Sequence, residues 1–398
     1  MVTTCSSQGH AAALLAVQTA PATSLTSVLG DVLARDFGAI AVTLYVADYR
    51  LTVLRALAGP TLAENEEAAR ADVPIDGSRL GKVFSSGEPT YEPEPGAVAV
   101  ALPIVARGEP LGVLSFSIPE LPGAEGRGRL AELAAVLGHS LLVARRDSDD
   151  IERTARTQRL SLAAEIQWDL LPGRGCAGPG FELAGHLEPA YQVAGDNFDW
   201  SVERGHLAVS VVDSMGWGVE AALLTSLTVE ALRNARRAGL TLADQARLAD
   251  EAIYGLYGGE RFAGALLLRF DHEARRVTAV DAGSPRLVRL RGDSIEPVEL
   301  DAQLPLGLFE GTHYFEHEID AVPGDRIAIV SDGVHDAKPV GDATYGDAAL
   351  AAVLAATADL RPREAVRRIV ADLVSFHGGT DLRDDAVVVV CDWTAKPG

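Results

Sequence analysis

Three short apolar runs each carry aspartate at one end. Ala208-Val209-Ser210-Val211-Val212 leads into Asp213, and Ile327-Ala328-Ile329-Val330-Ser331 leads into Asp332. Asp384-Asp385 opens Ala386-Val387-Val388-Val389-Val390. Runs of this length and β-branched content read as buried strands. A fourth acid, Asp196, stands in Val193-Ala194-Gly195-Asp196-Asn197-Phe198-Asp199. One strand-end aspartate is ordinarily a turn or a helix cap. Several at one sheet end oppose each other's ionisation, so they need basic partners or bound cations. No Lys or Arg adjoins Asp213 or Asp332 in the chain. Oxygen donors without clustered His or Cys favour Mg²⁺ or Mn²⁺ over Zn²⁺. The pattern points to a carboxylate-held, two-metal hydrolytic site.

The elements around these runs predict an α+β chain. Residues 1–23 are rich in Ala, Ser and Thr and offer no recognisable element. A helical pattern begins at Leu25, followed by strand-like runs at Ile40–Val46, Leu51–Leu57, Val98–Val105 and Leu111–Ser117, and then a helix over Leu130–Val143. These define a first domain at 24–144. Residues 145–172 read as a polar helical linker, with Ile151, Ala155, Leu162, Ile166 and Leu170 on one stripe that suits a homodimer seam. Pro172 and the glycines of 173–180 stop it. A second domain spans 173–394, where strands cluster apart from helices instead of alternating with them.

Composition narrows the partners. Thirty-five Lys and Arg against 56 Asp and Glu give a formal net charge of −21, which argues against tracking of nucleic-acid phosphates. No apolar run is long enough to span a membrane. Cys5, Cys176 and Cys391 are too few and too scattered for a disulfide framework. With no basic n-region before Asp31, the expected location is the cytoplasm.

The second domain resembles the metal-dependent serine/threonine phosphatases of type 2C, in the bacterial SpoIIE-like branch. The resemblance rests on ordered motifs. They are Glu165-Ile166-Gln167-x-x-Leu170-Leu171-Pro172, Pro189-Ala190-x-x-Val193-Ala194-Gly195-Asp196-x-Phe198-Asp199 and Asp213-Ser214-Met215-Gly216-x-Gly218-x-x-Ala221-Ala222. Ala282-Gly283, Leu304-Pro305-Leu306-Gly307, Gly324-Asp325, Ser331-Asp332-Gly333-Val334 and Asp384-Asp385 follow in order. The resemblance implies an α-β-β-α sandwich that holds two Mn²⁺ or Mg²⁺ ions. By position, Asp213 would bridge the ions, the Ser214 carbonyl would add a ligand, and Asp332 and Asp384 would bind the second ion. Asp385 could substitute for its neighbour, and Asp196 would contact a metal directly or through water. The implied reaction is in-line attack of metal-activated water on a phosphoserine or phosphothreonine of a partner protein. The typical partner in this branch is an anti-sigma-factor antagonist. Trp217 and Ser284 depart from the family's usual residues, which leaves a non-catalytic binding module on a phosphatase fold as the alternative.

Residues 24–144 resemble a GAF sensory domain through Ala101-Leu102-Pro103-Ile104-Val105, the Gly108 turn and Leu111-Gly112-Val113-Leu114-Ser115-Phe116. The resemblance implies a small-molecule ligand or a purely structural dimer module. The segment contains no Cys, which argues against a thioether-linked bilin or an iron–sulfur cluster. Two further motifs are weaker. Gly216-x-Gly218-x-x-Ala221 lacks the acidic strand end that a dinucleotide site needs, and Val212 occupies the first glycine position of a nucleophile elbow around Ser214. Arg236-Arg237 reads as a solvated helix face.

Overall fold

Arg107 and Gly108 both take positive φ, 51° and 93°, the backbone that a two-residue hairpin loop demands. They join β5 (Ala97–Ala106) to β6 (Glu109–Ile118), the central hairpin of a six-stranded antiparallel sheet. The sheet order is β3-β2-β1-β6-β5-β4, with β1 at Ile40–Ala47, β2 at Val53–Ala56, β3 at Val73–Pro74 and β4 at Thr90–Glu94. The computed structural model describes residues 7–57, 72–157, 159–189, 194–283, 285–337, 345–378 and 382–394. The chain forms two units, which divide between Arg159 and Leu160.

In the first unit both faces of the sheet are covered. Helices α1 (Ser7–Thr19), α2 (Leu25–Phe37) and α4 (Ala124–Ala144) share one core with Leu44, Val100, Leu102 and Leu114. Helix α3 (Arg79–Ser86) packs Leu80, Val83 and Phe84 against Tyr45, Ala101 and Val113 on the other face. Gly138 lets α4 lie close to the sheet, since a Cβ there would stand 2.8 Å from the Val105 carbonyl oxygen. The α1 helix corrects the reading of 1–23 as free of structure. Its Ala13 and Val17 are buried in that core, which few polar residues in the segment had signalled.

The single helix expected over 145–171 is divided. Helix α5 covers only Asp150–Ala155, Arg156 turns to extended backbone, and α6 starts afresh at Leu162–Leu170. The Arg55 guanidinium donates to the main-chain oxygens of Thr154 and Arg156, which satisfies the end of α5. Ser161 caps α6 by accepting from Ala164 N at 3.2 Å. The ends of the apolar stripe are buried in different units: Ile151 lies in the first unit's core and Leu170 in a core of the second, while Leu162 is 64% exposed.

The second unit contains two sheets. One is five-stranded, β15-β12-β11-β10-β9, with β11 at Ala263–Asp271, β12 at Arg276–Ala282 and β15 at His317–Ile319. The other is six-stranded, β14-β13-β16-β17-β8-β7, with β7 at Gly175–Gly178, β8 at Phe181–Glu188, β13 at Arg286–Arg291 and β14 at Ser294–Pro297. The strands that matter most are β9 (Asp196–Glu203) and β10 (His206–Ser214) in the first, and β16 (Arg326–Val330) and β17 (Ala386–Trp393) in the second. The alternation of strand side chains sends Leu207, Val209 and Val211 inward to meet Ile327, Ile329, Val387 and Val389 in one core. Helices α7 (Gly218–Arg237) and α8 (Leu242–Tyr257) cover the outer face of the five-stranded sheet. Helices α10 (Gly346–Ala356) and α11 (Pro362–Phe376) share a core with outward residues of the six-stranded sheet. This is an α-β-β-α sandwich. Among the described residues no helix is long and apolar enough to cross a membrane.

Candidate metal centre

The same period-two alternation that builds the inner core brings the acids to its end. Asp213 continues the inward series 207, 209 and 211 of β10, and it pairs directly with Asp196 at the start of β9. From the other sheet, β16 runs through Ser331 into Asp332, the first residue of the short helix α9 (Asp332–His335). Asp384 and Asp385 lead into β17, the hydrogen-bonded neighbour of β16. Carboxylate oxygens of Asp196, Asp213 and Asp332 lie within 4.8 Å of one another.

Two glycines permit this convergence. A Cβ on Gly195 would stand 2.1 Å from the Ser214 carbonyl oxygen, and one on Gly333 would stand 1.8 Å from the Asp385 carbonyl oxygen. Backbone approaches this close exclude any side chain. Thr225 of α7 anchors the first of them by donating to the Gly195 carbonyl at 2.7 Å. The Ser331 hydroxyl anchors the second by accepting from Val387 N at 3.0 Å and donating to the Asp385 carbonyl at 3.4 Å.

The electrostatics are those of a cluster without a counter-charge among the described residues. Asp196 is 1% exposed, and its Oδ2 has no hydrogen-bond partner among the described residues. Burial, and then the charges of Asp213 and Asp385, lift its carboxyl well above the usual range. Asp213 is pushed up to about 7 by burial and by Asp332, Asp384 and Asp385. Desolvation also raises Asp332 and Asp384, with Asp336 adding to the first and Asp332 to the second. Three carboxylates this close, with no basic partner among the described residues, fit a site for hard divalent cations.

The expected site residues fall into two groups. Asp196, Asp213 and Asp332 meet directly, and Asp384 adjoins them. Ser214 is buried with its main-chain oxygen against Gly195. Asp385 is fully buried, and its Oδ2 already accepts from Gln167 Nε2 at 2.8 Å and Ala194 N at 2.9 Å. Trp217 is 70% exposed between two positive-φ glycines, Gly216 and Gly218, while Ser284 lies outside the described residues. Sequence reasoning gave no role to Gln167, which stands in the quoted helix motif, or to the two close-approach glycines. It also placed Arg236 on a solvated face. Arg236 instead pairs with buried Asp199 at 2.9 Å, beside Arg233 at 2.8 Å.

A match to the Stage II sporulation protein E (SpoIIE) family spans residues 203–394. The second unit is a SpoIIE-type phosphatase domain. It belongs to the metal-dependent type 2C class, and the matched region contains Asp213, Asp332, Asp384 and Asp385. The phosphatase domain is similar to three solved structures. The RsbU and RsbW domains of a Mycobacterium tuberculosis protein are 26% identical, with a TM-score of 0.49 over 55% of this chain and 62% of that one. The phosphatase domain and a regulatory fragment of SpoIIE from Bacillus subtilis are 17% identical, at 0.47 over 77% and 82%. The catalytic domain of the serine/threonine phosphatase PstP, solved with two manganese ions, is 16% identical, at 0.43 over 55% and 100%. No curated protein matches the chain. With every one of these TM-scores below 0.5, the family match carries the assignment.

Proposed function

We propose that this protein removes phosphate from phosphoserine or phosphothreonine of a partner protein, using two Mn²⁺ or Mg²⁺ ions held by the acidic cluster. The observation that carries the reading is the meeting of Asp196, Asp213 and Asp332, without a basic partner among the described residues, within a domain of this family. Asp196, Asp213, the Ser214 carbonyl, Asp332 and Asp384 would hold the ions. Bound there, divalent cations supply Lewis acidity toward phosphoryl oxygens and lower the pKa of water. The protein's own part is to hold these carboxylates close together and open to solvent on the Asp332 side. None of the expected ligands is missing, which disfavours a non-catalytic module.

The natural substrate on this reading is an anti-sigma-factor antagonist, and the protein works in the cytoplasm. The similarity to a structure of RsbU and RsbW domains suits that circuit. The first unit serves as a GAF-like regulatory domain that answers to a small ligand or to a second copy of the chain. Its sheet with both faces covered is a self-contained body suited to that task. The test is Mn²⁺-dependent release of p-nitrophenol from p-nitrophenyl phosphate. Wild-type protein should turn over, and Asp213→Asn and Asp332→Asn should each lose activity. Unchanged rates in both variants would refute the site.

A further inference from the structure

We infer that Gln167 is a positioning residue of the metal centre, its side-chain amide setting the spacing between the acidic ends of the two sheets. The inference rests on the proposed function, because it concerns how the carboxylates are held for cations.

Gln167 lies on α6 and is 1% exposed. A buried amide must place its donors. Its Nε2 carries two hydrogens, and both are used: one goes to the Asp196 main-chain oxygen at 3.1 Å, the other to Asp385 Oδ2 at 2.8 Å. Asp196 begins β9 of the five-stranded sheet, whereas Asp385 leads into β17 of the six-stranded sheet. One NH₂ group therefore spans the sandwich at the end where like charges push the sheets apart. The amide's own backbone is held to the first sheet, since Asn197 Nδ2 donates to the Gln167 main-chain oxygen at 3.2 Å. Ala194 N adds a second donor to the same Asp385 oxygen.

The chemistry of the group matters as much as its place. A Lys or Arg here would neutralise the cluster and compete with a cation. An apolar side chain would leave Asp385 Oδ2 and the Asp196 carbonyl each short of a donor. An amide satisfies both acceptors and adds no charge. Its orientation is dictated by those acceptors, because a flipped amide would turn oxygen toward two oxygens. Its Oε1 is left buried without a partner among the described residues, the penalty of that choice.

A support of this kind is worth about 10–100-fold in metal affinity. The experiment measures the Mn²⁺ Kd by calorimetry on the full chain, alongside the melting temperature of the metal-free protein. Gln167→Met keeps the length and removes both donors, and its Kd should rise about 10-fold or more. The comparison variant is Arg233→Met, which unties the same helix at its other end by removing the 2.7 Å bond to the Leu170 carbonyl. It should lower the melting temperature and leave the Kd within about twofold of wild type, since Arg233 touches none of the proposed ligands. If Gln167→Met does not fold, Gln167→Asn carries the same test, because its amide is one methylene too short to reach both acceptors. A lowered melting temperature with unchanged Kd means a merely structural role and overturns the inference alone. Wild-type protein that binds no Mn²⁺ overturns the proposed function as well.

Discussion

Strand β9 delivers two buried aspartates, three residues apart, to opposite faces of one sheet. Asp199 points outward, where Arg233 and Arg236 of α7 hold both its oxygens at 2.8 and 2.9 Å. Asp196 points inward, where the charges that act on it are those of Asp213, Asp385 and Asp332, all acids. Burial is nearly the same, at 2% and 1% exposure. What differs is compensation. A buried carboxylate with fitted guanidinium groups is a fastener between helix and strand. One surrounded by acids is an unfinished ion pair, and on the proposed function the missing partner is a cation from solution.

The comparison can be broken most decisively at the inward face. Asp213→Asn should lower Mn²⁺-dependent turnover by at least about 100-fold, judged by p-nitrophenyl phosphate hydrolysis. The same variant should unfold at a higher urea concentration than wild type when both are metal-free, because it removes one charge from the cluster. At the outward face the sign reverses. Asp199→Asn leaves two guanidinium groups without their carboxylate and should destabilise by about 3–5 kcal/mol in urea unfolding. If both substitutions shift stability in the same direction, the contrast between the faces is wrong.

A gentler probe is pH. Asp213 binds its proton more tightly folded, at about 7, than at its ordinary value of 3.8. Between those values the native state holds more protons than the unfolded state, so stability falls as pH rises. The metal-free protein should therefore lose stability from about pH 4 to pH 7, and saturating Mn²⁺ should reverse the trend by binding only the folded form. A flat profile would show that the inward carboxylates do not repel as their spacing implies. The smallest effect belongs to Trp217, whose indole is mostly in solvent. Trp217→Ala should leave the melting temperature unchanged in a thermal scan.

Much of the inward site is legible in the sequence, because strand periodicity is local. Residues 207 to 213 alternate, so a strand ending in Asp213 places that acid with the core residues before it. The ordered motifs then relate Asp332 and Asp384 to it across more than a hundred residues. The outward fastener is not legible in this way, since nothing local says which of Arg233, Arg236 and Arg237 meets a strand. The helix over 145–171 misled for a related reason. Its apolar stripe has the right period, but Ile151 and Leu170 belong to different cores. The break depends on Arg55, about a hundred residues earlier, whose guanidinium takes the carbonyls at the end of α5. The helix at Ser7–Thr19 was missed because its sequence, SQGHAAALLAVQT, has too few polar residues to mark a face.

The close approach of Gly333 to Asp385 also bears on the order of assembly. The four inward acids enter from positions 196, 213, 332 and 384, and the two sheets meet there only when residues far apart in the chain have docked. Long-range closure of this kind comes late in folding and is slow. A nascent or truncated chain cannot hold the cluster, because no fragment shorter than the sandwich contains both halves. On the proposed function, cation capture by these acids is thus a signature of completed folding, and the chemistry waits until β17, the last strand among the described residues, is in place.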